Sequence, residues 1–246
     1  MSPREIPAAL WLVLTMLAMP VLSIVNRQAA RRGAPPRSPR AGRFDTMNRS
    51  QIYATAVVNT SLMAAIALAV DWIAGGSVVR QALAFPPGGW WWIGGSVAVH
   101  QVVSWTTMAV RRLRRLPLDP GTARLLPRSF REYLAYVPVA LAAGIGEEVL
   151  FRGFGLGTLV RWGVPAAVAV TIVTLSFGLA HGYKSVAGML RASLLGLVNV
   201  IPVLVTGTLL PSIVAHTVMD LIAGGTMLRL ARWMGVEVPE PTPSGL

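Results

Sequence analysis

Two adjacent glutamates, Glu147 and Glu148, lie inside a long apolar stretch of the chain. A carboxylate at membrane depth is costly unless it is paired or hydrated, so such residues are candidates for function. Arg152 follows Glu148 at the i, i+4 spacing, which places both side chains on one helical face and predicts an ion pair. Glu147 points about 100° away on a helix of 3.6 residues per turn. The spacing therefore predicts one glutamate held by a cation and one free to face a cavity.

Two further apolar segments each carry a pair of candidate functional side chains at the i, i+4 spacing. Phe177 precedes His181 by four residues, and His216 precedes Asp220 by four residues. Each pair lies on one face if its segment is helical. Three predicted helices therefore each present one compact polar face.

This set of side chains suits the activation of water by a carboxylate. Glu148 is stabilised as an anion by Arg152, and Glu147 is then available as a general base. A histidine can orient the water, and another donor can stabilise a developing oxyanion. No serine, threonine or cysteine lies in a recognisable nucleophile motif. We therefore expect carboxylate-activated water rather than a covalent intermediate.

The composition places these residues in a membrane protein. Hydrophobic residues make up 54% of the 246 residues and charged residues 13%, whereas about 25% charged is usual in soluble domains. A membrane-spanning helix needs about 20 apolar residues. The pattern predicts an all-α polytopic membrane helix bundle of about seven transmembrane helices, with an eighth segment possible within 133–160. The predicted spans are 7–25, 51–74, 88–110, 133–160, 164–181, 186–206 and 208–228.

The positive charge is concentrated in two loops. Of the 22 basic residues, seven lie in 27–49 and seven in 111–131, beside apolar runs. This distribution indicates cytoplasmic loops next to a lipid bilayer, with the N-terminus outside and the C-terminus cytoplasmic. No basic soluble domain with interleaved aromatic residues is present, so no nucleic-acid partner is predicted. A composition rich in arginine, alanine, glycine and proline, with Lys184 as the single lysine, favours a bacterial cytoplasmic membrane.

The segments between the spans define the predicted domain organisation. Residues 1–25 contain the first span, and residues 26–50 are predicted to be a basic flexible cytoplasmic loop. Residues 51–130 contain two spans and a second basic loop, and residues 130–228 hold the catalytic membrane domain. Residues 229–246 are predicted to be a disordered cytoplasmic tail. The absence of cysteine excludes disulfides, thiol catalysis and cysteine metal sites.

The three polar segments together resemble the motifs of one family. The segment Glu147-Glu148-Val-Leu-Phe-Arg152 resembles the Glu-Glu-x-x-x-Arg motif of the CAAX prenyl protease type II family, also called the ABI or CPBP family. Phe177-Gly-Leu-Ala-His181 resembles its Phe-x-x-x-His motif, and His216-Thr-Val-Met-Asp220 resembles its His-x-x-x-Asn/Asp motif. The resemblance covers about residues 130–225 and implies an intramembrane endopeptidase that acts on a peptide or protein substrate.

The resemblance also implies a role for each matched residue. Glu147 would be the general base, and His181 would help to bind or activate the water. His216 and Asp220 would lie at the oxyanion side. Because an ionised carboxylate cannot donate a hydrogen bond, Asp220 would either orient His216 or act in its protonated form.

The remaining motif residues, Glu148, Arg152 and Phe177, would support the catalytic residues. No cofactor is predicted, because the chain lacks a His-Glu-x-x-His motif. If a divalent metal such as zinc were bound, its ligands would be Glu147, His181 and His216.

Three polar residues of the spans lie outside the motifs. His100 is interpreted as a packing or cavity residue, and Arg191 and Asn199 share one polar stripe of the sixth predicted span. Two other functions remain open, because buried acids and histidines also form proton relays. One is a proton- or ion-coupled transporter, and the other is a non-catalytic membrane scaffold of the same family.

Overall fold

The computed structural model describes residues 2–31 and 47–239, and all regular secondary structure in these two ranges is helical. The predicted all-α class is therefore confirmed. Two π-helices, Leu14–Ala18 and Glu148–Leu156, each continue directly from one α-helix into the next. The α-helices are α1 (Ile6–Val13), α2 (Met19–Arg31), α3 (Arg49–Ile73), α4 (Val78–Leu83), α5 (Gly89–Leu113), α6 (Pro120–Leu125), α7 (Phe130–Glu147), α8 (Gly157–Arg161), α9 (Ala166–Ala180), α10 (Val186–Thr206) and α11 (Leu210–Trp233).

Five helical segments in the described ranges are long and apolar enough to cross a membrane. They are Pro3–Val25, Arg49–Ile73, Phe130–Arg161, Val186–Thr206 and Leu210–Trp233, and each matches a predicted span. The third of these, which contains the predicted segment 133–160, runs through the π-helix as one continuous helical segment of 32 residues.

The other two predicted spans are helical but less clearly membrane-spanning. The predicted span 88–110 is α5, which has 25 residues but is made less apolar by its tryptophans, His100 and Gln101. The predicted span 164–181 is α9, an apolar helix of only 15 residues, which is shorter than the roughly 20 residues a full span needs. The count of seven spans stays a prediction.

The structure differs from the predicted loop and tail at their edges. Helix α2 continues to Arg31, and α3 begins at Arg49 with Asn48 as its cap, so part of the predicted 26–50 loop is helical. The predicted flexible residues 32–46 lie outside the described residues. Helix α11 continues to Trp233, and the chain after it is packed rather than extended into solvent, because Val236 is buried. Residues 240–246 also lie outside the described residues.

Helix α7 lies between α3 and α11 and approaches both closely through glycines. A Cβ atom on Gly144 would lie 2.8 Å from the backbone nitrogen of Thr217 in α11. A Cβ atom on Gly146 would lie 2.7 Å from Cγ2 of Thr60 in α3. Small residues at such positions let helix backbones approach each other in membranes. This packing sets the position of Glu147, which ends α7.

We expect Gly144→Ala to lower the free energy of unfolding by about 1–3 kcal/mol, because the added methyl group overpacks the contact with the α11 backbone. Thermal unfolding in one detergent would measure the change. Gly94→Ala is the matched control, since a Cβ atom on this helical glycine of α5 meets nothing within 4 Å. Equal unfolding midpoints for the two variants would contradict the proposed close packing.

Candidate active site

The two glutamates lie where the α-helix changes into a π-helix. Glu147 ends α7, and Glu148 begins the π-helix Glu148–Leu156, all nine residues of which are buried. π-Turns within α-helices are frequent at functional sites. The predicted ion pair is present in this wider turn, with Nη1 of Arg152 3.2 Å from Oε1 of Glu148.

The carboxylate of Glu148 connects three helical segments. Its Oε1 atom accepts a hydrogen bond from Nδ1 of His216 in α11 at 2.8 Å and from Nδ2 of Asn199 in α10 at 3.3 Å. The residue is 0% exposed. Because a buried charge is stable only when it is paired and hydrogen-bonded, Glu148 requires these neighbours in one arrangement. Asn199 thus makes a hydrogen bond between helices.

Arg152 is equally buried and makes contacts beyond Glu148. Its Nη2 atom donates to the carbonyl oxygen of Gly196 in α10 at 2.8 Å. Its Cζ atom lies 4.4 Å from the centre of the Phe177 ring, which is the geometry of a cation–π contact. The guanidinium therefore joins the π-helix to both α9 and α10, and Phe177 covers it.

His216 lies between Glu147, Glu148 and Asp220. Since a carboxylate accepts hydrogen bonds, Nδ1 of His216 carries the proton donated to Glu148. The opposite nitrogen, Nε2, is 3.9 Å from Oε2 of Glu147 and 3.8 Å from Oδ2 of Asp220. Both distances exceed a direct hydrogen bond of about 3 Å, and one water can bridge such a gap.

His181 lies at the C-terminal end of α9. Its Nδ1 atom donates to the carbonyl oxygen of Phe177 at 2.8 Å, and its ring packs against that phenyl ring with the centres 4.8 Å apart. In a neutral imidazole with this tautomer, Nε2 is the acceptor. His181 can therefore accept a hydrogen bond from a water or a polar substrate group.

One cavity of about 390 Å³ collects the four residues predicted to be catalytic, Glu147, His181, His216 and Asp220. Glu148 and Arg152 do not line it and lie behind its wall. The structure thus separates the two adjacent glutamates as the helical spacing predicted. The lining also includes residues to which sequence reasoning gave no catalytic role, namely His100 and Ser104 of α5, Arg191 of α10 and Asn59 and Thr60 of α3. Their one sequence signal was the presence of polar side chains within apolar segments.

Asp119 anchors the turn that follows His181. It caps α6, where Oδ1 accepts from the backbone nitrogen of Thr122 at 3.0 Å, and its Oδ2 accepts from the backbone nitrogen of Ser185 at 2.7 Å. Burial alone would raise the pKa of this carboxyl, but the hydrogen bonds from Ser185 and Thr122 outweigh it and hold the pKa below its usual value. Asp119 therefore joins α6, which lines the cavity, to the turn that follows His181.

Residues 129–222 match the family model described as Type II CAAX prenyl endopeptidase Rce1-like. This segment is an Rce1-like domain. No curated protein and no solved structure matches the chain significantly. The Rce1-like domain contains all three motifs and extends from Ser129 into α11. Together with the five candidate spans, it makes this chain an integral membrane protein.

The site does not fit a bound metal. Within residues 2–31 and 47–239, no three histidine, cysteine, aspartate or glutamate side chains are arranged to hold a metal ion. One nitrogen of His216, Nδ1, is already hydrogen-bonded to Glu148, so this ring could offer only Nε2 to an ion.

We expect Arg152→Met to destabilise the fold by about 3–5 kcal/mol, because it leaves Glu148 as an uncompensated buried charge. Thermal or denaturant unfolding in detergent would measure the loss. The double variant Glu148→Gln/Arg152→Met should regain part of it, since neither charge then remains. Arg80→Met, at an exposed position of α4, is the control. An Arg152→Met protein as stable as this control would show that the ion pair does not hold the site together.

We expect Asp119→Ala to lower stability by about 1–3 kcal/mol at neutral pH, because it leaves donors of Thr122 and Ser185 without an acceptor. A depressed pKa stabilises the fold above the unfolded-state pKa and loses that effect as the pH falls through the folded-state pKa. The difference between wild type and variant should therefore shrink below about pH 4. Unfolding midpoints measured from pH 3 to pH 7 would check this, and a constant difference would contradict it.

Proposed function

We propose that this protein is an intramembrane endopeptidase that hydrolyses a peptide bond of a membrane-associated protein or peptide with water activated by Glu147. The observation that carries the proposal is the gap around Nε2 of His216, bounded by Glu147 at 3.9 Å and Asp220 at 3.8 Å, within a cavity of the Rce1-like domain. The gap is of a size for one water, and acids and histidines surround it.

In the proposed reaction, Glu147 accepts a proton from the water as its oxygen bonds to the carbonyl carbon of the scissile peptide. The carbonyl oxygen becomes an oxyanion in the tetrahedral intermediate. The proton then passes from Glu147 to the peptide nitrogen, and the carbon–nitrogen bond breaks to release a carboxylic acid and an amine. The acid proton passes to the amine, so the products leave as a carboxylate and an ammonium group. Nε2 of His181 accepts a hydrogen bond from the water and holds it in position.

His216 stabilises the oxyanion in this proposal. Because Glu148 accepts from Nδ1, it favours the doubly protonated imidazolium, whose Nε2–H can donate to the developing negative charge. Asp220 lies on the same side of the ring and orients it. Glu148 and Arg152 act on the reaction only through His216 and the packing of the helices.

The family description supplies the class of probe to test, a prenylated peptide that ends in a CAAX sequence. The proposed setting is a bacterial cytoplasmic membrane with the C-terminus in the cytoplasm. The two clusters of basic residues beside the predicted spans support that orientation.

We expect Glu147→Gln to reduce cleavage of a fluorogenic prenylated CAAX peptide by about 10²–10⁴-fold, because the amide cannot accept the proton of the attacking water. Purified protein in phosphatidylcholine liposomes would be assayed for cleavage, and its unfolding midpoint should stay near that of wild type. Glu237→Gln, an exposed acid outside the cavity, should keep full activity.

Two outcomes would contradict this function. Undiminished cleavage by Glu147→Gln would remove Glu147 as the base. Substrate-dependent proton flux across the liposomes, without cleavage products, would indicate a transporter instead.

A further inference from the structure

The cavity carries two cations as well as the acids used in the proposed reaction. Arg191 projects from α10, and Lys184 lies in the turn between α9 and α10. Among the described residues neither forms an ion pair. The acids Glu147 and Asp220 line the same cavity and offset these charges at longer range, but neither cation has an acid in direct contact. Their N–H donors are therefore open to an anionic ligand.

The Arg191 side chain is held by a hydroxyl group of α5. Its Nη2 atom donates to the Ser104 hydroxyl of α5 at 2.7 Å, which is the only hydrogen bond that its guanidinium makes within the described ranges. Its Nε atom is buried without a partner. A guanidinium offers five N–H donors in one plane and binds a carboxylate through two parallel hydrogen bonds. The guanidinium of Arg191 is therefore held by one hydrogen bond and still has N–H donors that can bind a carboxylate.

The positions of the charges in the cavity also favour one orientation of a bound ligand. Glu147 and Asp220 repel an anion, whereas Arg191 and Lys184 attract one. The cavity volume of about 390 Å³ lies in the range of small-ligand pockets. One end of a peptide needs a single entrance to such a pocket, whereas an internal segment must pass both in and out. The charge pattern and the size favour a chain end with a negative charge.

We propose that Arg191, assisted by Lys184, binds the free C-terminal carboxylate of the peptide and so presents a bond near that end to Glu147. The inference rests on the proposed endopeptidase function and adds a residue that selects substrates by their terminus. Ser104, from outside the Rce1-like domain, positions the guanidinium. The cleaved product is then a short peptide that carries the original C-terminus.

Binding to the inactive Glu147→Gln protein tests the subsite separately from hydrolysis. The dissociation constant of one prenylated CAAX peptide would be measured for its C-terminal acid and for its C-terminal amide. We expect the amide to bind about tenfold more weakly, because it loses a charge-assisted hydrogen-bonded pair. Adding Arg191→Gln should remove most of the difference between the acid and the amide, with Lys184 accounting for any small remainder, and Arg191→Lys should restore part of the difference. Arg80→Gln is the control, as an exposed arginine outside the cavity.

Equal binding of the acid and the amide by the Glu147→Gln protein would overturn the subsite. A difference of undiminished size after Arg191→Gln would also overturn it, since the carboxylate would then bind elsewhere. If binding is lost when an acidic side chain of the peptide is removed, but not when its C-terminus is amidated, the bound anion is an internal side chain. That result would overturn the proposal that Arg191 binds the C-terminal carboxylate. If the wild type cleaves the acid and the amide at equal rates, only the proposed carboxylate-binding role of Arg191 is contradicted. If the protein binds the acid more tightly than the amide but the wild type cleaves neither, only the proposed enzyme activity is contradicted.

Discussion

The buried carboxylate of Glu148 is the constraint on which the rest of the site depends. It is fully enclosed, and one of its oxygen atoms is within reach of Arg152, His216 and Asn199. Removing Arg152 would leave a charge without compensation in an apolar surrounding, and removing His216 or Asn199 would take away one of its hydrogen bonds. The π-helix, α10 and α11 must therefore pack in the arrangement that brings the three partners together. The position of His216 at the cavity follows from this packing.

The same constraint explains how neighbouring glutamates acquire different environments. Glu148 begins the π-helix and is directed into the packed interior, whereas the Glu147 side chain remains 22% exposed at the cavity. Like charges side by side would be difficult to keep ionised in an apolar region. The Arg152 guanidinium offsets the charge of one glutamate, and the cavity gives the other access to water. The geometry is consistent with a supporting role for Glu148 and with the proposed role of Glu147 as a base.

The cavity extends beyond the segment that carries the motifs. The Rce1-like domain supplies Glu147, His181, His216 and Asp220, but α3 and α5 complete the wall. Ser104 of α5 fixes Arg191 of α10, so a helix without any family motif positions a charged group inside the cavity. The chemistry that we propose is thus contained in the matched domain. The proposed choice of substrate depends also on helices that precede it.

The sequence by itself determined the helical class, five apolar spans and the pairing of Glu148 with Arg152. These are local relations, because the period of a helix places residues i and i+4 together whatever surrounds them. Only the tertiary structure decided that His216 donates to a glutamate 68 positions away, that Asn199 joins it, and that Arg191 faces the same cavity as the acids. Contacts between helices depend on how the helices cross and on their relative rotation, which the hydrophobic pattern of each helix leaves open. The segment after α11 also depends on tertiary contacts. Its composition does not show that the Val236 side chain is buried against the helices.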